Sequence, residues 1–141
     1  MLVIIFCLGS GDVMSKVIWI MMLSIVSSSV TAEWIAVDKN ATLTIYANPA
    51  TIFKNGNIVR MWGVRDFNIA QADVEGDLYA SIMIQKNFDC NEARYQISSY
   101  SYHAENMGQG AVIYNSLTPG GWRKIVSNGV VDAQRKIACE K

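Results

Sequence analysis

Residues 78–90, "LYASIMIQKNFDC", alternate apolar and polar positions along most of their length. Ile82, Ile84, Phe88 and Cys90 fall on one side, with Lys86 as the only exception, and Ser81, Met83, Gln85, Asn87 and Asp89 fall on the other. A period of two is that of a half-buried strand. "ARYQISSYSYH", 93–103, supplies an antiparallel partner across the corner "NE", with Tyr95 and Ile97 pointing one way and Arg94, Gln96 and Ser98 the other. Upstream, "WIAV" at 34–37 suits a short first strand. "TLTIYA" at 42–47 sets Leu43, Ile45 and Ala47 against threonines and Tyr46. "IVRMWGVRDF" at 58–67 is partly apolar on both sides, with Ile58, Trp62 and Val64 against Val59, Met61 and Phe67, and reads as a central strand.

The segments between these strands predict turns. In "NPATIFKNGN", 48–57, Asn48 can cap and Pro49 fits a first helical position, so one helical turn is expected, folding Ile52 and Phe53 back on the sheet. Asn55-Gly56 then makes a tight turn. "NIAQADVEGD", 68–77, reads as a polar loop, "ENMGQG", 105–110, as a glycine-rich turn, and "AVIYNSL", 111–117, as a last long strand closed by "TPGGW". From Ser127 the period changes. Val130, Val131, Gln134, Ile137 and Ala138 recur at helical spacing, with Ser127 or Asn128 to cap and Asp132 in the first turn. A meander of strands followed by one helix is an α+β layout, an antiparallel sheet with the C-terminal helix packed on one face.

The first 32 residues read differently. They carry only Asp12 and Lys16 as charges, and from Met14 they have the parts of a signal peptide. Lys16 gives a basic start, Val17–Val26 is apolar apart from Ser24, and Val30 and Ala32 place small or slender residues before a cleavage site. The apolar run is shorter than the about 20 residues a spanning helix needs. Cleavage after Ala32 is therefore expected, leaving a single domain at 33–141, with Met14 as the expected start codon. "IIFC" around Cys7 lacks the small residues of a lipoprotein site, so no lipid anchor is predicted. The leader holds one acidic and one basic side chain of twelve each, so the remaining domain has no net charge and nothing directs it to nucleic acid.

Export changes the meaning of Cys90 and Cys139, the two cysteines left in the domain. An even count in an exported chain reads as a disulfide. Cys90 lies on the apolar face of its strand and Cys139 near the inner stripe of the helix, so one bond between them would staple helix to sheet.

Catalytic chemistry is thin. The single histidine, His103, ends a strand beside Glu105, and no nucleophile motif frames any serine. Asp73, Glu75 and Asp77 alternate in the 68–77 loop without the register of a calcium-binding loop, and read as solvated carboxylates. No metal and no cofactor is expected. Trp62, Tyr95, Tyr100 and Tyr102 are strand aromatics that serve either as core and rim or as a recognition face. His103, Tyr100 and Tyr102 are the candidate ligand contacts, the histidine with haem or another small ligand as the alternative.

"EWIAV", "TIYANPATIFKNGNIVRMWGVRDF", "NFDCNEARYQISSYSYH", "NMGQGAVI", "GGWRKI" and the closing "KIAC" together resemble the bacterial surface-adhesin protein E family. The resemblance spans Glu33–Lys141. It departs at Asn48-Pro49-Ala50-Thr51, where Asp-Pro-x-Ser is usual, and at Ser127-Asn128-Gly129, which replaces Pro-Gly-Ser. It implies a sheet of about six strands with a disulfide-linked C-terminal helix, and export in a Gram-negative bacterium to the periplasm or the outer-membrane surface. It also implies a non-enzymatic adhesin that contacts host extracellular matrix proteins, with a homodimer as a further expectation. The other reading is a periplasmic structural or accessory protein with no host ligand.

Overall fold

The computed structural model describes residues 33–140, and the expected signal peptide over residues 1–32 lies outside them. Seven strands and one helix follow in order: β1 Ile35–Lys39, β2 Leu43–Asn55, β3 Ile58–Ala72, β4 Leu78–Asp89, β5 Arg94–His103, β6 Val112–Ser116, β7 Arg123–Lys124 and α1 Val130–Cys139. β1 to β6 form an antiparallel meander in sequence order, and β7 pairs with the other end of β5. This is the α+β sheet and C-terminal helix read from the hydrophobic pattern.

Cross-strand register sorts the side chains into two faces. On one face, Val59 lies opposite Phe88 and Phe88 opposite Tyr95; Met61, Lys86 and Ile97 form the next row. α1 lies over this end of that face. Its core is Ala47, Val59, Met61, Phe88, Ile125 and Ala138, joined by Val37, Ile52, Tyr95, Val131 and Ile137. Cys90 and Cys139 are bonded at a Cα–Cα distance of 5.8 Å, as expected from the parity of Cys90 with Phe88. On the far face, Val64 and Ser81 are fully buried. There a single 3-10 turn at Asn106–Gly108 is pinned down. Ser81 Oγ donates to Glu105 O at 2.6 Å, Gly108 N donates to Ser81 Oγ at 2.8 Å, and Met107 N donates to Asp66 Oδ1 at 2.7 Å.

The expected helical turn at 48–57 is instead a bulge within β2, in which Ile52 packs on the core as expected and Phe53 is exposed. Asn48 pairs with Trp62 and Phe53 with Arg60, so residues 49–52 stand opposite Met61 alone. A bulge is where a strand tolerates proline, because the missing N–H is not needed by the ladder. Thr51 repairs the ladder: Trp62 N donates to its Oγ1 at 3.0 Å, and that hydroxyl donates to Asn48 O at 2.7 Å. Thr51→Val leaves the Trp62 amide without an acceptor and is expected to lower unfolding stability by about 1–2 kcal/mol, read from urea midpoints. Asn55-Gly56 does turn the chain, with Gly56 at φ +63°.

Two further expectations are corrected. The loop at 68–77 begins only at Asp73, because β3 continues to Ala72 against Leu78 and Tyr79. The cap of α1 is Gly129 rather than Ser127 or Asn128, and its side-chain help comes from within the helix. Asp132 Oδ2 accepts from Asn128 N at 3.0 Å, while Oδ1 accepts from Arg135 Nε and Nη2 at 3.0 and 2.9 Å. The Asn128 amide foremost, then Arg135 and Lys136, hold the Asp132 carboxyl below its ordinary value against an opposing effect of burial. A carboxylate with a lowered folded pKa contributes stability that is complete above about pH 4 and is lost as pH falls through the folded value. The urea midpoint is therefore expected to fall more steeply between about pH 5 and pH 2 in the wild type than in Asp132→Asn.

Candidate functional site

The sheet is covered diagonally. α1 takes the Phe88 end of one face and the 105–110 turn takes the Ser81 end of the other. The Ile82 end of the helix-side face has neither. Two rows of side chains lead across it: Ile45, Arg65, Ile82, Tyr102 and Tyr114, then Ala47, Gly63, Ile84, Tyr100 and Ser116, the second row passing under α1 at its Ala47–Gly63 end. Ile82 and Ile84 are nevertheless buried. Cross-strand neighbours shield them, as expected where large rings stand directly opposite aliphatic side chains.

A bulge in β5 makes this arrangement. Strict alternation from Tyr95 and Ile97 would send Tyr100 and Tyr102 to the far face. Lys86 pairs with Ile97 and Gln85 with Ser99, so Ser98 is an extra residue. Its Oγ donates to Gln85 O at 3.1 Å and to Gln85 Oε1 at 2.9 Å. One inserted residue flips every following side chain, and both tyrosines join Ile82 and Ile84.

The rings then meet. Tyr79 and Tyr102 lie 4.5 Å apart between centroids, Tyr102 and Tyr114 5.8 Å, Tyr100 and Tyr102 6.0 Å, Tyr100 and Tyr114 6.0 Å, with Phe67 5.8 Å from Tyr79. With Ala72, Asp73, Val74 and Glu75 the four tyrosines line an open groove of ≈ 470 Å³. A smaller hollow of ≈ 160 Å³, walled by Tyr100 and Tyr102, is lined by Ile82, Ile84, Ile97 and Arg65. Burial, then Tyr102 and the Asp73 charge, raise the Tyr79 pKa from its ordinary value, and Arg65 opposes them. Hydrogen bonding with the Tyr114 hydroxyl, followed by burial, raises that of Tyr100. Both phenols are therefore neutral at physiological pH.

At the border between covered and open halves stands Lys86, the exception in the alternation of β4. It is buried, and its Nζ donates to Gln134 Oε1 of α1 at 2.8 Å. Burial foremost, and then the Arg65 charge, lower its pKa to about 8. Gly63 makes room for this pair: a Cβ there would stand 2.9 Å from Tyr46 O and 3.4 Å from Gln134 Nε2.

Of the three candidate ligand contacts, Tyr100 and Tyr102 come together, and His103 lies opposite Ser81 on the far face. Its Nε2 is 2.8 Å from Ser101 Oγ, and its Nδ1 is buried without a hydrogen-bond partner. Among the described residues nothing orients the imidazole as a general base for that serine. Tyr95 belongs to the core beneath α1, and Trp62 faces the other way. Tyr79, Tyr114, Asp73 and Glu75 were not legible as site residues. Asp73, Glu75 and Asp77 bring ligand atoms within 4.8 Å of one another, but Asp73 Oδ1 is already engaged by the amides of Glu75 and Asp77, both at 2.9 Å.

Among the described residues no helix is long and apolar enough to cross a membrane. Solved structures share this fold. A structure of Haemophilus influenzae protein E superposes with a TM-score of 0.63 at 16% identity, covering 82% of this chain and 90% of that one. A second crystal form gives 0.64 at 15%, covering 80% and 91%, and protein E from a non-typeable strain gives 0.62 at 16%, covering 80% and 79%. No curated protein sequence matches the chain. The family model described as surface-adhesin protein E matches residues 34–140, essentially the whole described domain, and the chain belongs to that family.

Proposed function

We propose that the chain is an exported, non-enzymatic binding protein that contacts a host extracellular matrix protein through the open, tyrosine-bearing half of its sheet. The observation that carries this reading is the grouping of Tyr79, Tyr100, Tyr102 and Tyr114 around one groove on a part of the sheet that α1 leaves bare. Tyrosine suits such a surface because it presents a large ring at low conformational cost together with a polar tip. A family of surface adhesins supports the same conclusion, and no nucleic acid is needed as partner by a domain without net charge.

The test is binding of the purified protein to a panel of matrix proteins that includes vitronectin and laminin. Saturable isotherms are expected for at least one of them. Flat isotherms across the panel contradict the proposal. Protease treatment of intact cells checks display: a surface adhesin is digested, whereas a periplasmic accessory protein survives.

A further inference from the structure

We infer that the tyrosine groove seats a lysine or arginine side chain of the partner protein, held over the tyrosine rings and against the carboxylates of Asp73 and Glu75. The inference deepens the reading of the domain as a protein-binding module and rests on it.

Three features point to a cation. First, the groove is walled by tyrosine rings. Four tyrosine rings, linked by centroid distances of 4.5–6.0 Å, border one space. A cation within about 6 Å of such a ring is attracted by its quadrupole. Second, the carboxylates in the lining belong to the β3–β4 turn. Asp73 is fixed there by its hydrogen bonds to the Glu75 and Asp77 amides, and its charge is felt at the Tyr79 hydroxyl. Third, the nearest cation of this face, Arg65, reaches Tyr79 with its charge but lies beside the groove rather than in its lining. It lines the adjoining hollow with Ile82, Ile84 and Ile97. Among the described residues the groove lining therefore joins aromatic rings and carboxylates and includes no cationic side chain, which selects a partner residue of positive charge. The aliphatic hollow beside it accommodates the stem of a long side chain or an apolar neighbour.

The probes are two short synthetic peptides, one alternating valine with lysine and one alternating valine with glutamate, titrated into the purified protein and followed by amide chemical shifts. The lysine peptide is expected to saturate and to shift the amides of Tyr79, Tyr100, Tyr102 and Tyr114, while the glutamate peptide does not. Asp73→Asn combined with Glu75→Gln keeps the turn acceptor at position 73 and is expected to weaken lysine-peptide binding about tenfold. Tyr102→Leu is expected to weaken it by a similar factor, and Tyr102→Phe, which keeps the ring, to preserve it. Equal binding of both peptides overturns the inference. So does lysine-peptide binding that survives both Tyr102→Leu and the Asp73/Glu75 double variant, the latter lying in an exposed turn outside the core. A protein that binds a matrix protein but not the lysine peptide loses this groove assignment alone. One that binds the lysine peptide through these residues but no matrix protein keeps the groove assignment and loses the matrix ligand.

Discussion

Replacing Cys90 and Cys139 together by alanine is expected to lower unfolding stability by about 4 kcal/mol, the loop-closure value for a separation of 49 residues. A loss of that size is a large share of the about 5–15 kcal/mol that keeps a small domain folded. In a domain of this length it corresponds to a fall in melting temperature on the order of 20 °C. The bond matters beyond chain entropy because of what it anchors. α1 is ten residues long, below the length at which an isolated helix persists in water, and its Gly129 cap offers no side-chain hydrogen bond. The helix is nonetheless the lid over Phe88, Val59, Met61 and Ala47. Differential scanning calorimetry of the double variant checks this, and an unchanged midpoint would show that packing alone holds the helix.

The second large effect is expected at Lys86. Its pKa falls from 10.5 to about 8 chiefly because burial penalises the ammonium, so the folded state binds fewer protons than the unfolded state between those values. Stability then rises with pH across that window, and below about pH 8 the buried charge opposes folding by about 3 kcal/mol. Above about pH 10 the raised pKa values of Tyr79 and Tyr100 act in the opposite direction, since the folded state then holds protons the unfolded state has lost. Comparing wild type with Lys86→Met isolates the lysine. The wild-type urea midpoint is expected to climb from pH 8 to pH 9.5 and the variant midpoint to stay level. At neutral pH the variant gains from the removed charge and loses part of that gain at Gln134 Oε1, which no longer has its donor. Parallel pH profiles for the two proteins would place the Lys86 ammonium in water.

How much of this was readable from the chain follows from what each feature depends on. The alternation of 78–90 is local and gave β4, its inner face and the pairing of Cys90 with a helix cysteine. Even the misfit was visible, since Lys86 stood out as the one charge on an apolar face. The bulges were not visible. Pro49 and its neighbours form a sensible helical start by local rules, and only the pairing of β2 with β3 keeps them extended. The Ser98 insertion is equally silent, yet it decides which face Tyr100 and Tyr102 occupy. β7 is two residues long and exists only through its pairing with Arg94 and Tyr95. The candidate pair Tyr100 and Tyr102 was therefore named from residue type, while Tyr79, Tyr114, Asp73 and Glu75 entered the site through register and turn geometry alone. His103 was grouped with the tyrosines by its place in the chain, and alternation parts it from them.

The central claim is that ligand is met on the open half of the helix-side face. The most direct test is surface plasmon resonance on an immobilised matrix protein that the wild type binds. Tyr114→Ser removes an exposed ring of the groove, and Phe53→Ser removes an exposed ring on the far face, where Phe53 pairs with Arg60. The predicted result is at least about tenfold weaker binding for Tyr114→Ser and wild-type binding for Phe53→Ser. Loss on Phe53→Ser with full binding by Tyr114→Ser would contradict it.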